Sequence, residues 1–154
     1  MTTLGLHHAG LVVPDLDQAI VFYCAVFGYT VLQRIDWDSA DVDWPEKVTG
    51  VTDSKVRGVQ LQGENGFLEL FEWIRPKSTD QPANANSYGI THLAFQVTDI
   101  MIVFERFLAA GGTAHGKPSP VGKAIAIYCR DPFGNIIELL EIVKADAPFD
   151  LRRL

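Results

Sequence analysis

The sequence has few of the features that mark nucleic-acid-binding, membrane-spanning or secreted proteins. Acidic residues outnumber basic ones, 19 against 13, the net charge is −6, and no Lys/Arg cluster is present that could neutralise phosphates. No stretch has the ~18 uninterrupted apolar residues of a membrane span. The two cysteines, Cys24 and Cys129, form neither a CxxC unit nor a secreted-type disulfide framework. These absences predict a cytoplasmic protein with reduced thiols that binds neither nucleic acid nor a membrane.

The sequence of 154 residues contains an internal repeat. Two sets of residues recur at a constant offset within each set. The first set pairs Gly5, His8, Val13 and Asp15 with Gly89, His92, Val97 and Asp99, and the second pairs Phe67-Leu68-Glu69-Leu70 and Glu72 with Ile136-Ile137-Glu138-Leu139 and Glu141. Each copy has roughly seventy residues, which is too short to be comfortable as an independent domain. The chain is therefore predicted to be one domain built from two similar halves.

Each half is predicted to have the order strand–helix–strand–strand–strand. In the first half, Pro14 ends a strand, Asp15 begins an amphipathic helix, and Gly28 ends that helix. The helix carries an aromatic stripe that packs on a sheet. The predicted organisation is a first module at 4–75, a linker at 76–88, a second module at 89–143 and a C-terminal tail at 144–154.

One long acidic segment, residues 36–54, is predicted to be a long loop with one helical turn. It contains Trp37 and Trp44. Two tryptophans in a polar loop indicate a cover over a pocket, a contact with another subunit, or simple packing on the body of the protein. The sequence leaves these alternatives open.

Two glutamates lie where a charge is costly. Glu138 sits in an apolar run that follows the turn residues 131–135, and Glu69 sits in the equivalent apolar run of the first half. Burying an unpaired carboxylate costs several kcal/mol, so such a group is protonated, paired or bound to a metal.

Two histidines are predicted to lie on the same side of the sheets as these glutamates. His8 and His92 lie on the strand face opposite the residues that pack on the helices, and the same parity holds for Glu69 and Glu138. All four side chains can face one concave surface. Two imidazoles and two carboxylates suit one divalent metal ion, either Zn, Ni, Co, Mn or Fe. The other candidates are interpreted as ordinary: His7 and His115 as core or surface residues, and Glu72 and Glu141 as edge or solvent-side residues.

The motifs at residues 6–19, 89–95 and 131–135, the last ahead of Glu138, resemble those of the vicinal oxygen chelate superfamily. This superfamily includes glyoxalase I, methylmalonyl-CoA epimerase, extradiol dioxygenases, and bleomycin and fosfomycin resistance proteins. The resemblance implies an α+β fold in which two tandem βαβββ modules form a cupped mixed sheet with the helices outside. It also implies a homodimer, and it assigns four metal ligands, which are His8, Glu69, His92 and Glu138.

The ligand set resembles that of the superfamily's isomerases and epimerases. There the metal binds vicinal oxygens of a small-molecule substrate and stabilises an enediolate, while a glutamate moves the proton. Glu138 is predicted to be this base and Glu69 its partner, although the pseudo-symmetry barely separates the two. One alternative is an Fe(II)-dependent ring-cleaving dioxygenase, which needs two histidines and one carboxylate. Another is a non-catalytic binding protein of the bleomycin-resistance type, a group that lacks these ligands.

The substrate itself is not predicted. A glutathione adduct or an acyl-CoA requires basic residues at the mouth of the pocket. The available ones are Arg57, Arg75, Lys117, Lys123 and Arg130. Strand parity predicts a cavity lined by Phe67, Phe71, Gln60, Gln62, Tyr128 and Leu140.

Overall fold

The structure, a computed structural model, describes residues 2–78 and 82–153. The chain divides between residues 80 and 81 into two compact units. Each unit contains one five-stranded mixed sheet and one helix of ten or twelve residues. Part of the predicted linker, residues 79–81, lies outside the described residues.

The first unit follows the predicted element order and adds a short strand and a short helix. Its elements are β1 (His8–Val12), α1 (Leu16–Phe27), β2 (Thr30–Arg34), β3 (Trp37–Asp38), α2 (Trp44–Thr49), β4 (Lys55–Gly63) and β5 (Gly66–Arg75). The strand order is β1-β5-β4-β2, with β3 also paired to β4. Strand β1 runs parallel to β5, and the other pairs are antiparallel.

The second unit has the same topology. Its elements are β6 (Leu93–Gln96), α3 (Ile100–Ala109), β7 (Thr113–Ala114), β8 (Ser119–Val121), β9 (Ala124–Arg130), β10 (Ile136–Ile142) and a 3-10 helix (Leu151–Arg153). The order β6-β10-β9-β7, with β8 on β9, matches the first sheet strand for strand. The predicted α+β class with two βαβββ modules is thus confirmed.

Two short strands are additional to the predicted order of elements. The segment at 36–54 contains β3, together with α2 where one helical turn was predicted, and the segment between β7 and β9 contains β8. Both short strands pair with the long central strand of their sheet, β4 or β9. Strand β8 contains Pro120, which cannot donate to a sheet ladder and therefore suits its short, exposed edge.

Local chemistry sets the limits of the two longer helices. The side chains of Asp15 and Asp99 accept a hydrogen bond from the backbone N–H groups of Gln18 and Ile102, at 2.9 and 3.0 Å. Gly28 ends α1 with φ at 72°, a conformation that favours glycine. The predicted stripe of α1 is buried and consists of Leu16, Ala19, Phe22, Tyr23 and Val26.

The interpretation of Glu72 and Glu141 as edge or solvent-side residues is wrong. Glu72 Oε2 accepts a hydrogen bond from the backbone N–H of Leu16 at 3.3 Å, and Glu141 Oε2 accepts one from Ile100 at 2.8 Å. Each carboxylate therefore stabilises the first residue of a helix, where negative charge is favourable. The Arg57 guanidinium adds a charged hydrogen bond to Glu72 at 2.8 Å.

The turn at residues 131–135 is held together by one buried carboxylate. Asp131, which is 3% exposed, accepts hydrogen bonds from the backbone N–H groups of Phe133 and Asn135 and from the Asn135 side-chain amide. These three bonds fix the point at which β10 begins. They therefore help to set the position of Glu138.

The C-terminal tail packs on the second sheet. Ala147 is fully buried against Ala124 and Ile142, and Leu140 packs against the same cluster. Leu140 is two residues from Glu138, so the tail covers one end of the sheet face that carries this glutamate. Hydrogen bonds from the Arg152 guanidinium, followed by one from Gln96, hold the pKa of the Asp150 carboxyl far below its ordinary value. Among the helices of the described residues, none is long and apolar enough to cross a membrane.

Candidate functional site

The first unit contains one of the predicted histidine–glutamate pairs. His8 begins β1 and Glu69 lies at the middle of the neighbouring strand β5. His8 Nε2 is 3.2 Å from Glu69 Oε2, and the two side chains are 39% and 15% exposed. The other carboxylate oxygen, Oε1, accepts a hydrogen bond of 3.1 Å from the Gln60 amide. Gln60 in turn accepts one from Gln33 at 2.9 Å, so a short amide chain orients the carboxylate toward the imidazole.

His7 has a place in this unit that the sequence did not indicate. Its Nδ1 lies 2.9 Å from Nδ1 of His8, and its ring stacks on Phe67 with a centroid distance of 4.9 Å. Phe67 pairs with His8 in the β1–β5 ladder. The His7 ring therefore contacts both a predicted ligand and its strand partner. No periodic pattern signals such a contact, because adjacent strand residues ordinarily point to opposite faces.

The second unit repeats the arrangement with different neighbours. His92 Nε2 is 3.2 Å from Glu138 Oε2, and the side chains are 30% and 17% exposed. His92 Nδ1 lies 3.1 Å from the Thr91 hydroxyl. The Tyr128 ring lies 4.6 Å from the His92 ring, with its hydroxyl 3.4 Å from Nε2. Burial and the Glu138 charge raise the pKa of Tyr128, so its phenol keeps its proton at neutral pH.

The predicted strand parity is confirmed in both units. Leu68 and Leu70, on either side of Glu69, are 1% and 0% exposed and face the core. Ile137 and Leu139 flank Glu138 in the same way and are both fully buried. The glutamates thus lie on the sheet face away from the helices, as the alternation requires.

The four predicted ligands form two pairs, one in each unit. In residues 2–78 and 82–153, no group of three or more His, Cys, Asp or Glu side chains is arranged to hold a metal ion. Each pair offers an imidazole nitrogen and a carboxylate oxygen to a common point, a donor set that suits a borderline divalent metal. Each pair alone supplies two protein donors, fewer than the three or four of an ordinary protein-bound zinc site.

A cavity of about 370 Å³ lies in the second unit, next to its histidine–glutamate pair. Tyr128, which contacts His92, forms part of its wall. It is one of six residues that strand parity predicted to line a cavity; the other five do not line this one, namely Phe67, Phe71, Gln60, Gln62 and Leu140. The remaining lining residues are Ala85, Thr113, Ala114, His115, Cys129, Arg130 and Ile136. Burial raises the pKa of the Cys129 thiol to about 11, so this cysteine is not a nucleophile at neutral pH.

The predicted basic candidates differ in what they contact. Arg57 pairs with Asp17 and Glu72, Arg75 with Asp38 and Asp53, and Lys123 with Asp146. For Arg130 and Lys117, no carboxylate lies within ion-pair distance in the described part of the chain. Of these two, only Arg130 lines the cavity.

The tryptophans of segment 36–54 pack on their own unit. The Trp37 ring contacts the rings of Trp44, Phe71 and Trp73 with centroid distances of 5.4 to 5.9 Å. By strand alternation, Phe71 and Trp73 share the face of β5 that carries Glu69. Packing on the body, one of the alternatives that the sequence left open, is confirmed.

Known proteins resemble this chain in sequence and in fold. It is 31% identical to a 2-epi-5-epi-valiolone epimerase of Actinomyces sp, over 96% of this chain and 84% of that protein. It is 29% identical to a probable lactoylglutathione lyase of Synechocystis sp., over 88% of this chain and 94% of that one. A crystal structure of a glyoxalase family protein from Bacillus cereus superposes with a TM-score of 0.83, at 23% identity, covering 94% of this chain and 97% of that one.

A family model covers most of the chain as well. It matches residues 5–139, a range that includes both histidine–glutamate pairs and the turn ahead of β10. This match agrees with the two βαβββ units and with the relatives named above. The chain belongs to the Glyoxalase/Bleomycin resistance protein/Dioxygenase superfamily.

Proposed function

We propose that this protein is a divalent-metal-dependent enzyme that moves a proton next to a carbonyl group, as a lyase, isomerase or epimerase. The observation that carries the proposal is the repeated pair: His8 with Glu69, and His92 with Glu138, each with 3.2 Å between nitrogen and oxygen. Relatives at 27–31% identity are named as lactoylglutathione lyases and as an epimerase, which supports this class of reaction.

The donor chemistry of the pairs fits a metal. Glu69 and Glu138 are 15% and 17% exposed, and the basic side chain beside each is an imidazole rather than an arginine or lysine. A half-buried carboxylate needs a positive partner, which a divalent cation supplies together with a site for the neutral imidazole. The two pairs then provide four ligands to one ion, Zn, Ni, Co, Mn or Fe.

The chemistry divides between the metal and the protein. When bound, the metal supplies Lewis-acid polarisation of a substrate carbonyl and a template for two vicinal oxygens. A glutamate acts as the general base: it removes the proton from the carbon next to the carbonyl and returns it there or to a neighbouring atom.

Glu138 is the better base of the two glutamates. Glu69 has one oxygen held by Gln60, which is itself 8% exposed and tied to Gln33. Within the described residues, Glu138 has no such amide partner, and its polar contact is with His92. A carboxylate with one contact moves toward a substrate more easily than one held at both oxygens.

The test is solvent deuterium incorporation under anaerobic conditions, across a panel of α-hydroxy-carbonyl compounds and acyl-CoA thioesters. We expect incorporation at the carbon next to the carbonyl, its loss on chelation and its recovery with a divalent metal. Glu138→Gln should abolish it, and Glu141→Gln is the matched control on the same strand. Strict dependence on dioxygen would favour the ring-cleaving dioxygenase. Failure of the protein to bind any metal would instead favour the binding protein.

We also propose that the protein is a homodimer. Four large apolar side chains in the segments ahead of β1 and β6 are each 90% exposed or more, namely Leu4, Leu6, Tyr88 and Ile90. Exposed apolar groups of this kind favour association. A monodisperse monomer in light scattering at micromolar concentration would contradict this proposal.

A further inference from the structure

The cavity of the second unit has one cationic wall residue, Arg130, whose hydrogen-bond acceptors in the described residues are all neutral. Arg130 donates hydrogen bonds to the carbonyl oxygens of Gly134 and Ala83 and to the Asn84 side-chain oxygen. All three acceptors are neutral. No Asp or Glu in residues 2–78 and 82–153 lies within ion-pair distance of this half-buried guanidinium. Among the described residues, this positive charge therefore contacts carbonyl oxygens and no carboxylate.

Strand register places further donors on the same face. Thr113 of β7 and Ile136 of β10 are both paired with Arg130 of β9, while Tyr128 is paired with Glu138. Paired residues share a face of the sheet, and so do residues two apart on one strand. The cavity is thus lined on one wall by a hydroxyl, a phenol and a guanidinium. His115 also lines it and is exposed.

The equivalent wall of the first unit is neutral. There Gln60 is paired with Glu69, and Gln62 with Phe67 and Thr30. By topology, Gln60 and Gln62 stand where Tyr128 and Arg130 stand in the second unit. Each unit therefore has its own histidine–glutamate pair, but the residue beside the pair is the neutral Gln62 in the first unit and the cationic Arg130 in the second.

We infer that the cavity beside Tyr128 binds the anionic end of the substrate, a carboxylate or a phosphate, through Arg130, His115 and Thr113. Three of the five N–H donors of Arg130 contact Gly134, Ala83 and Asn84, so Arg130 offers an anion its charge and its two remaining N–H groups. Two residues along a strand span about 7 Å, so an anion at Arg130 lies about one small-molecule length from Glu138. The volume, near the lower end of the roughly 300–1,000 Å³ of ligand pockets, suits a small acid. As a substrate subsite, it rests on the proposed function.

Direct binding to the metal-free protein tests the inference apart from catalysis. Chelator-treated, ¹⁵N-labelled protein is titrated by NMR with acetate, inorganic phosphate and acetamide, the last being the uncharged counterpart of acetate. We expect saturable shifts of the amides of Thr113, His115 and Tyr128 with one or both anions and none with acetamide. The anion that binds more tightly identifies the group as carboxylate or phosphate.

Three variants test how much individual side chains contribute to anion affinity. Arg130→Gln should weaken anion binding by about tenfold or more, since it removes a charged donor. His115→Gln should weaken it by about three- to tenfold. Because His115 is exposed, this variant decides the matter if Arg130→Gln fails to fold. Lys144→Gln, an exposed lysine of the same unit, is the matched charge control and should change the affinity by less than about twofold.

Two results would overturn the inference: the absence of saturable anion binding, or equal binding by wild type and both cavity variants. Equal shifts with acetamide and acetate would overturn it as well. A metal titration of the same sample separates the two proposals. Anion binding without metal binding leaves the anion site standing but refutes the proposed function and, with it, the site's role as a substrate subsite. Metal-dependent deuterium incorporation without anion binding refutes the subsite alone.

Discussion

Replacing Glu138 and Glu141 separately by glutamine tests the division of labour along β10. The two residues are three apart and lie on opposite faces of the strand. Glu138 faces His92 at 3.2 Å, whereas Glu141 accepts the backbone N–H of Ile100 at 2.8 Å, at the start of α3. The same chemical change should therefore remove a metal ligand in one variant and weaken a helix terminus in the other.

The contacts of Glu138 and Glu141 allow the expected changes in stability and metal affinity to be estimated. A hydrogen bond to a charged group contributes about 1.5–3 kcal/mol, and a negative charge at a helix N-terminus contributes about 0.3–1 kcal/mol. Glutamine keeps a neutral acceptor, so we expect Glu141→Gln to lower the free energy of unfolding by about 1 kcal/mol. Glu138→Gln should lower the metal-free stability by less than Glu141→Gln does, because removing a half-buried charge offsets the loss of its contact with His92. It should weaken metal binding by more than the roughly 10–100-fold that losing an outer-shell partner costs.

Urea denaturation of the metal-free proteins measures the first quantity, and calorimetric titration with zinc or nickel measures the second. The equivalent pair in the first unit, Glu69→Gln and Glu72→Gln, should behave in the same way, because Glu72 accepts the N–H of Leu16. Equal losses of metal affinity in all four variants would refute the parity argument. Equal losses of stability would refute the assignment of Glu72 and Glu141 to the helix termini.

Three further outcomes follow from the described contacts. Gln60→Ala should weaken metal binding without abolishing it and lower the free energy of unfolding by about 1 kcal/mol in urea denaturation, since it frees one oxygen of Glu69. Asp150→Asn should lower the melting temperature at pH 7. Because the native pKa is depressed, the difference should shrink progressively as the pH falls below the unfolded value of about 4, and a difference as large at pH 2 as at pH 7 would contradict this sign. Cys129 should resist a thiol reagent at pH 7.5 until the protein unfolds, leaving Cys24 as at most one reactive thiol per folded chain.

The fold was predictable because its signals are local and occur twice. Asp15 and Gly28 mark the ends of α1 through their own side-chain and backbone chemistry, independently of the rest of the chain. The repeat of His8 and Glu69 as His92 and Glu138 provided the second module from the first. The segment at 36–54 was predicted less well, because β3 forms only by pairing with β4, a strand that its own sequence does not specify.

Strand parity determined which face each glutamate occupies, since side chains alternate along any strand whatever its partners are. The partners were decided by the tertiary structure alone. Sheet register brings Gln60 to Glu69, and helix docking brings the start of α3 to Glu141. The same register sets Arg130 among carbonyl oxygens without an acid beside it in the described residues. The first two contacts join residues that are remote in sequence, and the third depends on the absence of a nearby carboxylate in the described residues. A local sequence pattern contains neither kind of information.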